Sequence, residues 1–415
     1  MKRGNIIIGL DVGTTKVCAV VGEVAGSEME IRGIGTAPST GLKKGVIIHI
    51  EPTVDSIKKA VQEAGSSTGV QIREVFVGIT GNHIKGIRSH GATGINSRDV
   101  IPADVERVLE SARSVYMPLD REILHFIPTG YTLDGQNGIK DPVGMAGDRL
   151  EAHVHIITGA VSPLQNLLKC CEMAGLEVIE VVFEALASAA STITDEEKEL
   201  GVALVDIGGT TEIALYKDGF LQHIANIPVG GHHFTNDIAI GFRIPFAAAE
   251  RLKKDFGCAT THMIKDKEMI DIPRAGQQKK TPRTHLAEIL QPRAEELIDL
   301  IKDELSLCSD YSIALSGVVL SGGGSLLDGF DSLAEASLGL PVRIGSCDGI
   351  KGCRGNINNP IYATGVGLAL YGLDNESAKV SYENNPSGIF GKMKDWFAGI
   401  FKGNGDSETY QHMKT

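Results

Sequence analysis

The sequence lacks several features that mark membrane-spanning, secreted and nucleic-acid-binding proteins. It contains no run of about 18 apolar residues, so it predicts no helix that crosses a bilayer. Basic residues are in deficit, with 40 Lys and Arg against 52 Asp and Glu, and the net charge of −12 argues against a nucleic-acid partner. The first residues lack the apolar core and cleavage site of a secretory signal, so we expect a cytoplasmic protein.

Cysteine is sparse, and its spacing carries no metal-binding pattern. The seven cysteines include no Cys-x-x-Cys pair, which argues against a zinc site and favours reduced, mostly buried thiols. Aromatic residues make up 5% of the chain, and the single tryptophan, Trp396, lies close to the C-terminus. At 415 residues the chain is too long for one simple core, so we expect two domains.

One motif occurs twice, about half a chain apart. Apolar residues lead into Asp11 and again into Asp206, and each aspartate opens an Asp-x-Gly-x-Thr sequence that is followed by a second apolar stretch. This pattern predicts two tight β-hairpins with glycine-rich tips.

The hairpin tips have the chemistry of a phosphate-binding site. Bare backbone N–H groups form a concave donor site, threonine hydroxyls add donors, and a lysine adds positive charge. The predicted phosphate contacts are Gly13, Thr14, Thr15, Lys16, Gly208, Gly209, Thr210 and Thr211. Asp11 and Asp206 are predicted to hold Mg²⁺ through water, which suits an ion that loses its hydration shell reluctantly.

A third glycine run lies between an apolar stretch and a helical pattern. Gly322, Gly323 and Gly324 are predicted to form a turn on which a nucleoside lies against bare backbone. Helices of small residues are predicted near 184–190 and 361–370, and a polar, charged loop is predicted at 262–283. The alternation of strands and helices indicates an α/β fold with a cleft between two similar halves.

The order of these motifs resembles that of the actin/Hsp70/hexokinase superfamily, over nearly the whole chain to about residue 372. Within it, the chain is similar to the FtsA family of bacterial cell-division proteins. The stretches that carry this closer resemblance are Gly45–Ile47, Val77–Ile84, Asp141–Glu151 and Val229–Gly231.

The resemblance implies an actin-like two-lobed fold with an interlobe nucleotide cleft and an inserted α+β subdomain. It implies ATP with Mg²⁺ as the cofactor, Glu250 and Lys253 as contacts on the ribose and adenine side, and Gly231 as a further contact. Its implied partners are the C-terminal tail of the tubulin-like division GTPase FtsZ, further copies of the same chain, other division proteins, and anionic lipid on the cytoplasmic face of the cell membrane at the septum.

The implied organisation follows the chain. It consists of a first-lobe core at 1–82, an inserted subdomain at 83–160, more first-lobe core at 161–200, a second-lobe core at 201–240, an outer subdomain at 241–305 that receives the FtsZ tail, more second-lobe core at 306–373, a disordered linker at 374–386, a membrane-targeting helix at 387–402 and a polar tail at 403–415.

The predicted helix at 387–402 has one apolar face. Its apolar residues recur at helical spacing, and its lysines occupy the other side. About 16 residues make a helix of ~24 Å, which is too short to cross a bilayer and therefore predicts a helix lying in the membrane interface. The apolar residues are Ile389, Phe390, Met393, Trp396, Phe397, Ile400 and Phe401, and the lysines are Lys392, Lys394 and Lys402.

Two questions stay open at the level of sequence. Glu184 stands where ATPases of the superfamily place a residue that orients water, yet a carboxylate that stabilises the start of a helix is an equal alternative. The alternatives to a division protein are a small-molecule kinase of the same superfamily and the FtsA-like platform protein of type IV pilus assembly. The C-terminal amphipathic segment argues against both.

Overall fold

The computed structural model describes residues 5–26, 28–265, 268–274, 277–307, 315–347, 349–352 and 358–384. The chain divides into two compact units. Among the described residues, the first comprises those within 5–89, 116–129 and 154–372, and the second comprises those within 90–115, 130–153 and 373–384.

Strands and helices alternate along the described residues, as the sequence predicts. The strands are β1 (Ile6–Val12), β2 (Lys16–Ala25), β3 (Glu28–Pro38), β4 (Leu42–Lys43), β5 (Val46–Ile47), β6 (Glu74–Ile79), β7 (Lys85–Gly94), β8 (Arg121–Leu133), β9 (Gln136–Ile139), β10 (Arg149–Ala160), β11 (Glu177–Phe183), β12 (Val202–Ile207), β13 (Thr211–Lys217), β14 (Phe220–Ile227), β15 (Met269–Arg274), β16 (Gln277–Pro282), β17 (Gly317–Ser321) and β18 (Val342–Ile344).

The α-helices are α1 (Ile50–Thr68), α2 (Pro102–Arg113), α3 (Val161–Met173), α4 (Glu184–Thr192), α5 (Asp195–Leu200), α6 (Gly231–Phe242), α7 (Phe246–Phe256), α8 (Arg283–Leu307), α9 (Phe330–Leu338) and α10 (Ala363–Asn384). Short 3₁₀ helices cover Thr261–Met263, Gly323–Leu326 and Pro360–Tyr362.

The first unit contains two five-stranded sheets with the same internal plan. One has the order β3-β2-β1-β6-β11 and the other β14-β13-β12-β17-β18. In each sheet an antiparallel meander of three strands is followed by two parallel strands. Both Asp-x-Gly-x-Thr sequences lie at the turn between the first two strands of a meander, so the predicted hairpins are confirmed as elements of a duplicated fold.

The two small-residue helices approach each other with no side chain between their backbones. A Cβ on Gly367 of α10 would lie 1.7 Å from the carbonyl oxygen of Ala187 in α4, so only glycine fits there. The contact is bridged by hydrogen bonds, because the Ser191 hydroxyl donates to the Ala363 carbonyl at 2.8 Å and Ser188 lies 3.0 Å from the Thr364 hydroxyl. Small residues here therefore serve close backbone packing.

The second unit contains α2 and the adjoining parts of β7, β8 and β10, together with β9. Helix α2 buries the predicted apolar face of Val105, Val108, Leu109 and Ala112. A Cβ on Gly91 of β7 would lie 2.2 Å from the Val108 carbonyl oxygen, so this helix lies directly on the strand. The predicted insertion at 83–160 is wider than this unit, because these strands continue into the first unit.

Two sequence-based expectations are wrong. The stretch at 262–283, predicted as a loop, contains the antiparallel pair β15–β16, whose pairing runs from Met269 with Pro282 to Arg274 with Gln277. Its apolar residues are few, but Ile270 and Ile272 alternate and are buried, and that suffices to fix one face of the strand.

The second wrong expectation is the disordered linker at 374–386, because α10 continues to Asn384. Residues 374–384 contain neither glycine nor proline, and extending an established helix costs far less than starting one. The predicted membrane helix at 387–402 and the polar tail at 403–415 lie outside the described residues.

Burial of His125 generates a testable pH dependence. Its Nε2 accepts a hydrogen bond from the Phe183 backbone N–H at 3.0 Å, and burial lowers its pKa to about 4. The folded protein therefore binds fewer protons than the unfolded chain between about pH 6.5 and 4, so stability is lost as the pH falls through that range.

We expect His125 to account for about 3 kcal/mol of the loss between pH 6.5 and 4, at roughly 1.4 kcal/mol per unit of pKa difference. His125→Gln, whose side-chain oxygen can still accept from Phe183, should flatten the dependence measured by urea unfolding at pH 7 and pH 5. The exposed His262→Gln is the matched control. Equal slopes for the two variants would contradict this assignment.

Candidate functional site

A cavity of about 710 Å³ in the first unit brings the three glycine motifs together. The tips of the β1–β2 and β12–β13 hairpins form part of its wall, and the turn that follows β17 forms another part. Predicted residues on the wall are Asp11, Gly13, Thr14, Thr15, Lys16, Glu184, Asp206, Gly208, Gly209, Thr210, Gly231, Glu250, Lys253, Gly322, Gly323 and Gly324.

Thr211 is the exception among the predicted phosphate contacts. It does not line the cavity, and its hydroxyl donates to the Val229 carbonyl at 2.8 Å. As the first residue of β13, it is turned away from the tip by the alternation of the strand, so it joins β13 to the segment before α6.

The two hairpin tips touch each other. A Cβ on Gly209 would lie 2.7 Å from both Cβ and Oγ1 of Thr14. Thr14 is itself held in place, because its Oγ1 accepts a hydrogen bond from the Gly45 backbone N–H at 3.0 Å. The absence of a side chain at position 209 therefore sets the separation of the two tips.

Lys16 begins β2 directly after the tip of the first hairpin and lines the cavity. Its ammonium lies 3.6 Å from the Asp11 carboxylate and 5.0 Å from the centre of the Tyr362 ring, and it donates to the Ile361 carbonyl. The turn before α10 thus fixes a positive charge beside the first phosphate hairpin.

Asp206 is anchored by both small-residue helices, α4 and α10. Ser188 of α4 donates to its Oδ2, and Thr364 of α10 lies 3.5 Å from the same oxygen. A Cβ on Gly322, whose φ is +76°, would lie 2.3 Å from Asp206 Oδ1, so the third glycine run packs directly against this carboxylate. Burial raises the pKa of Asp206 to about 6 and also raises that of Asp11.

Two glutamates complete a group of four carboxyl side chains on the wall. Burial raises the pKa of Glu212 to about 8, and burial together with the neighbouring acidic groups raises that of Glu184 well above its usual range. Glu184 Oε1 is shielded from solvent and has no hydrogen-bond partner among the described residues. An unsatisfied buried oxygen of this kind marks a place for a water molecule or a ligand.

Another part of the cavity wall is organised around Glu250 and Lys253. They form an ion pair of 2.8 Å on α7, as their spacing predicts. The Lys253 ammonium also donates to the Gly231 carbonyl at 2.9 Å and to the Thr235 hydroxyl at 2.8 Å. All three of its protons therefore have acceptors within the protein, and Thr235 also donates to Glu250.

Sequence reasoning missed several residues of the wall. They include Thr80, Glu212, His232, Phe246, Arg283, Asp328, Ile361 and Thr364. Thr80 lies in the stretch Val77–Ile84, and Ile361 and Thr364 lie in the predicted small-residue helix at 361–370. His232, Phe246, Arg283 and Asp328 come from segments without a motif, so no local signal marked them. Glu212 did carry one, because it is an acidic residue directly after the second Asp-x-Gly-x-Thr sequence.

The donor set fits a phosphate chain only together with a cation. Lys16 and bare backbone N–H groups suit phosphate oxygens, but four carboxyl groups repel them. Within the residues that the structure describes, no group of three or more His, Cys, Asp or Glu is arranged to bind a metal directly. A hydrated cation held through water by Asp11 and Asp206 reconciles the two, and remains a prediction.

The comparisons with known proteins agree with this architecture. The sequence model described as "Cell division protein FtsA" matches residues 203–367, and the one described as "SHS2 domain inserted in FTSA" matches residues 81–158. A curated relative, the cell division protein FtsA of Pseudomonas aeruginosa, is 44% identical over 97% of this chain and 99% of its own length.

Solved structures support an actin-like fold. The PilM–PilN type IV pilus biogenesis complex matches with a TM-score of 0.66 at 18% identity, covering 88% of this chain and 98% of the other. MreB 5 of Spiroplasma citri bound to AMPPNP matches with a TM-score of 0.54 at 18% identity, covering 92% and 99%. At this level of identity the likeness concerns the fold alone.

The contact between the hairpin tips predicts unequal effects for neighbouring glycines. Gly209→Ala should push Thr14 away and lower the thermal midpoint of the ligand-free protein, because its Cβ has no room. Gly208→Ala is the matched control, since its Cβ would meet only the Thr210 carbonyl oxygen at 3.6 Å. Differential scanning calorimetry on both variants makes the comparison, and equal midpoints would contradict it.

Proposed function

Because the chain belongs to the cell division protein FtsA family, we propose that it is an ATP-binding protein that polymerises and attaches FtsZ to the cytoplasmic face of the cell membrane at the septum. The observation that carries the ATP-binding part is the convergence of both phosphate hairpins and the Gly322–Gly324 turn on one cavity. The actin-like neighbour solved with AMPPNP supports the same choice of ligand.

The residues that would hold the nucleotide follow from their positions on the wall. The two tips and Lys16 would hold the phosphates, Gly322–Gly324 would face the nucleoside, and Glu250 would accept from the ribose. Lys253, whose protons are already used, would position Glu250. Mg²⁺, when bound, would neutralise phosphate charge, and Asp11 and Asp206 would orient its water ligands.

Glu184 is proposed to position a water molecule near the terminal phosphate. Its unpaired, buried Oε1 supports this role over simple stabilisation of the start of α4. Burial and the neighbouring acidic groups raise its pKa, so the ligand-free cleft disfavours the ionised form that would act as a base. We therefore expect at most slow ATP hydrolysis.

Membrane attachment is proposed for the segment 387–402. Its apolar stripe and lysines suit the interface of an anionic bilayer, and a single short helix of this kind binds weakly. A polymer presents many copies at once, so each further contact is effectively intramolecular and attachment becomes strong. Among the described residues, no helix combines the length and apolarity needed to cross a bilayer.

The alternatives are weaker. The type IV pilus complex shares the fold, but the relative from Pseudomonas aeruginosa matches over nearly the full length of both chains at far higher identity. A small-molecule kinase would need an acidic base aimed at a substrate hydroxyl, and the sequence offers no motif for a substrate pocket. The amphipathic segment also has no role in either alternative.

Liposome co-sedimentation tests the tether. The full chain should pellet with vesicles of phosphatidylglycerol and phosphatidylethanolamine, and more so with ATP and Mg²⁺, whereas a chain ending at Asn385 should stay in the supernatant. Vesicles of phosphatidylcholine alone control for the role of anionic lipid. Failure of the full chain to pellet with anionic vesicles would sink the tether proposal.

The FtsZ-tail site is proposed within 241–305, where Met263 and Met269 are about half exposed and Lys279 and Lys280 are exposed. Met263→Glu with Met269→Glu should weaken binding of a labelled FtsZ C-terminal peptide by at least about tenfold in fluorescence anisotropy, given the value of burying a methionine. Leu200→Glu, at an equally exposed site outside the segment, should have no effect. Unchanged peptide affinity in the double variant would contradict a binding site that includes Met263 and Met269.

A further inference from the structure

Glu212 lies on the cavity wall but has no part in the proposed contacts to ATP. It is the second residue of β13 and is 3% exposed. Its Oε1 accepts from the Thr80 hydroxyl and from the Asn226 side-chain amide at 3.2 Å. The backbone N–H groups of Gly81 and Ala185 donate to the same carboxyl group. A buried carboxyl with four donors is built into the fold.

These donors come from both halves of the first unit. Asn226 lies on β14, in the same sheet as Glu212, whereas Thr80 and Gly81 directly follow β6 of the other sheet. Ala185 lies in the first turn of α4, where backbone N–H groups have no partner within the helix. One carboxyl group thus connects the second sheet to a loop and a helix start of the first.

The connection ends beside Glu184. Ala185 is the next residue along the chain, so holding its N–H fixes the backbone from which the Glu184 side chain projects. The other side of Glu184 is also confined, because a Cβ on Gly78 of β6 would lie 2.9 Å from Glu184 Cγ. Its unpaired Oε1 is left beside Lys16, Asp11 and Asp206, whose charges act on it.

This group lies at the phosphate end of the cavity. Glu184 and Thr80 line the same cavity as both hairpin tips, and the charges of Asp11 and Lys16 beside the first tip act on Glu184. We propose that Glu212 is a positioning residue that holds Glu184 and the Thr80–Gly81 loop for the terminal phosphate, and that it thereby lets the cleft distinguish ATP from ADP. The inference rests on the proposed ATP binding.

The electrostatics agree with a role in positioning. Burial raises the pKa of Glu212 and the hydrogen bond from Thr80 opposes that rise, so the cost of its burial is met in part by its donors. A glutamine at this position has one acceptor oxygen and one amino group, and the amino group cannot accept from a backbone N–H. Glu212→Gln therefore disrupts the connection with almost no change in volume.

The test compares two nucleotides in the full-length chain. Isothermal titration with AMPPNP and with ADP, each with Mg²⁺, gives the two affinities for the unaltered protein, Glu212→Gln and Thr80→Val. We expect both variants to bind AMPPNP about tenfold or more weakly, in line with leaving a buried hydrogen-bonding group unsatisfied, and ADP within about twofold. The exposed Glu196→Gln on α5 is the control and should change neither.

A second readout needs no nucleotide. Hydrogen exchange of the Gly81 and Ala185 amides in the ligand-free protein should be faster in Glu212→Gln than in the unaltered chain, because their acceptor is weakened. Thr80→Val leaves the Glu212 carboxyl group in place, so it should affect these two amides less. Unchanged exchange in Glu212→Gln would overturn the proposed connection.

The possible outcomes distinguish failure of the inference from failure of the proposed function. Equal weakening of AMPPNP and ADP would mean a purely structural role and would overturn the inference, as would AMPPNP binding that is unchanged or tighter in Glu212→Gln. If the unaltered chain binds neither nucleotide, the proposed function fails and the inference fails with it. Intact binding of both with an unaltered ratio in the variants overturns the inference alone.

Discussion

The backbone contact between α4 and α10 is the constraint on which the cleft depends. Gly367 lets α10 meet the Ala187 carbonyl directly, and hydroxyl groups of both helices then converge on Asp206. The same crossing places Glu184 at the start of α4 and places Ile361, just before α10, where it binds Lys16. A packing requirement therefore fixes the charged groups of the site, because the helices that carry them cannot move apart without losing buried hydrogen bonds.

The four carboxyl groups fixed in this way are buried where their ionised forms are disfavoured. Asp11, Glu184, Asp206 and Glu212 all have raised pKa values, and burial is the first cause for each. Ligand-free, the cleft disfavours the ionised form of groups that would hold a hydrated cation when ionised. A phosphate chain that arrives with its cation supplies the positive charge that makes ionisation favourable, so ligand and cation should bind together rather than separately.

The sequence predicted the hairpins, the third glycine turn and the small-residue helices because each depends on a local steric rule. Gly209, Gly322 and Gly367 could be recognised as special without knowing what they touch, although what they touch emerged only from the structure. Phe246, Arg283 and Asp328 could not be predicted, since their place on the wall depends on how distant segments meet. The β15–β16 hairpin and the continuation of α10 were misjudged for the opposite reason. Their polar local composition suggested a loop at 262–283 and a disordered linker at 374–386, whereas two buried isoleucines and an established helix decided otherwise.

The touching hairpin tips have a consequence for how such a chain can change over time. Gly209 leaves no clearance beside Thr14, and Thr14 is itself tied to Gly45. A larger residue on one tip would need a smaller one on the other in the same lineage, although the two positions lie almost 200 residues apart. The two copies of the motif are thus coupled, and a change of residue size in one tip requires a compensating change in the other.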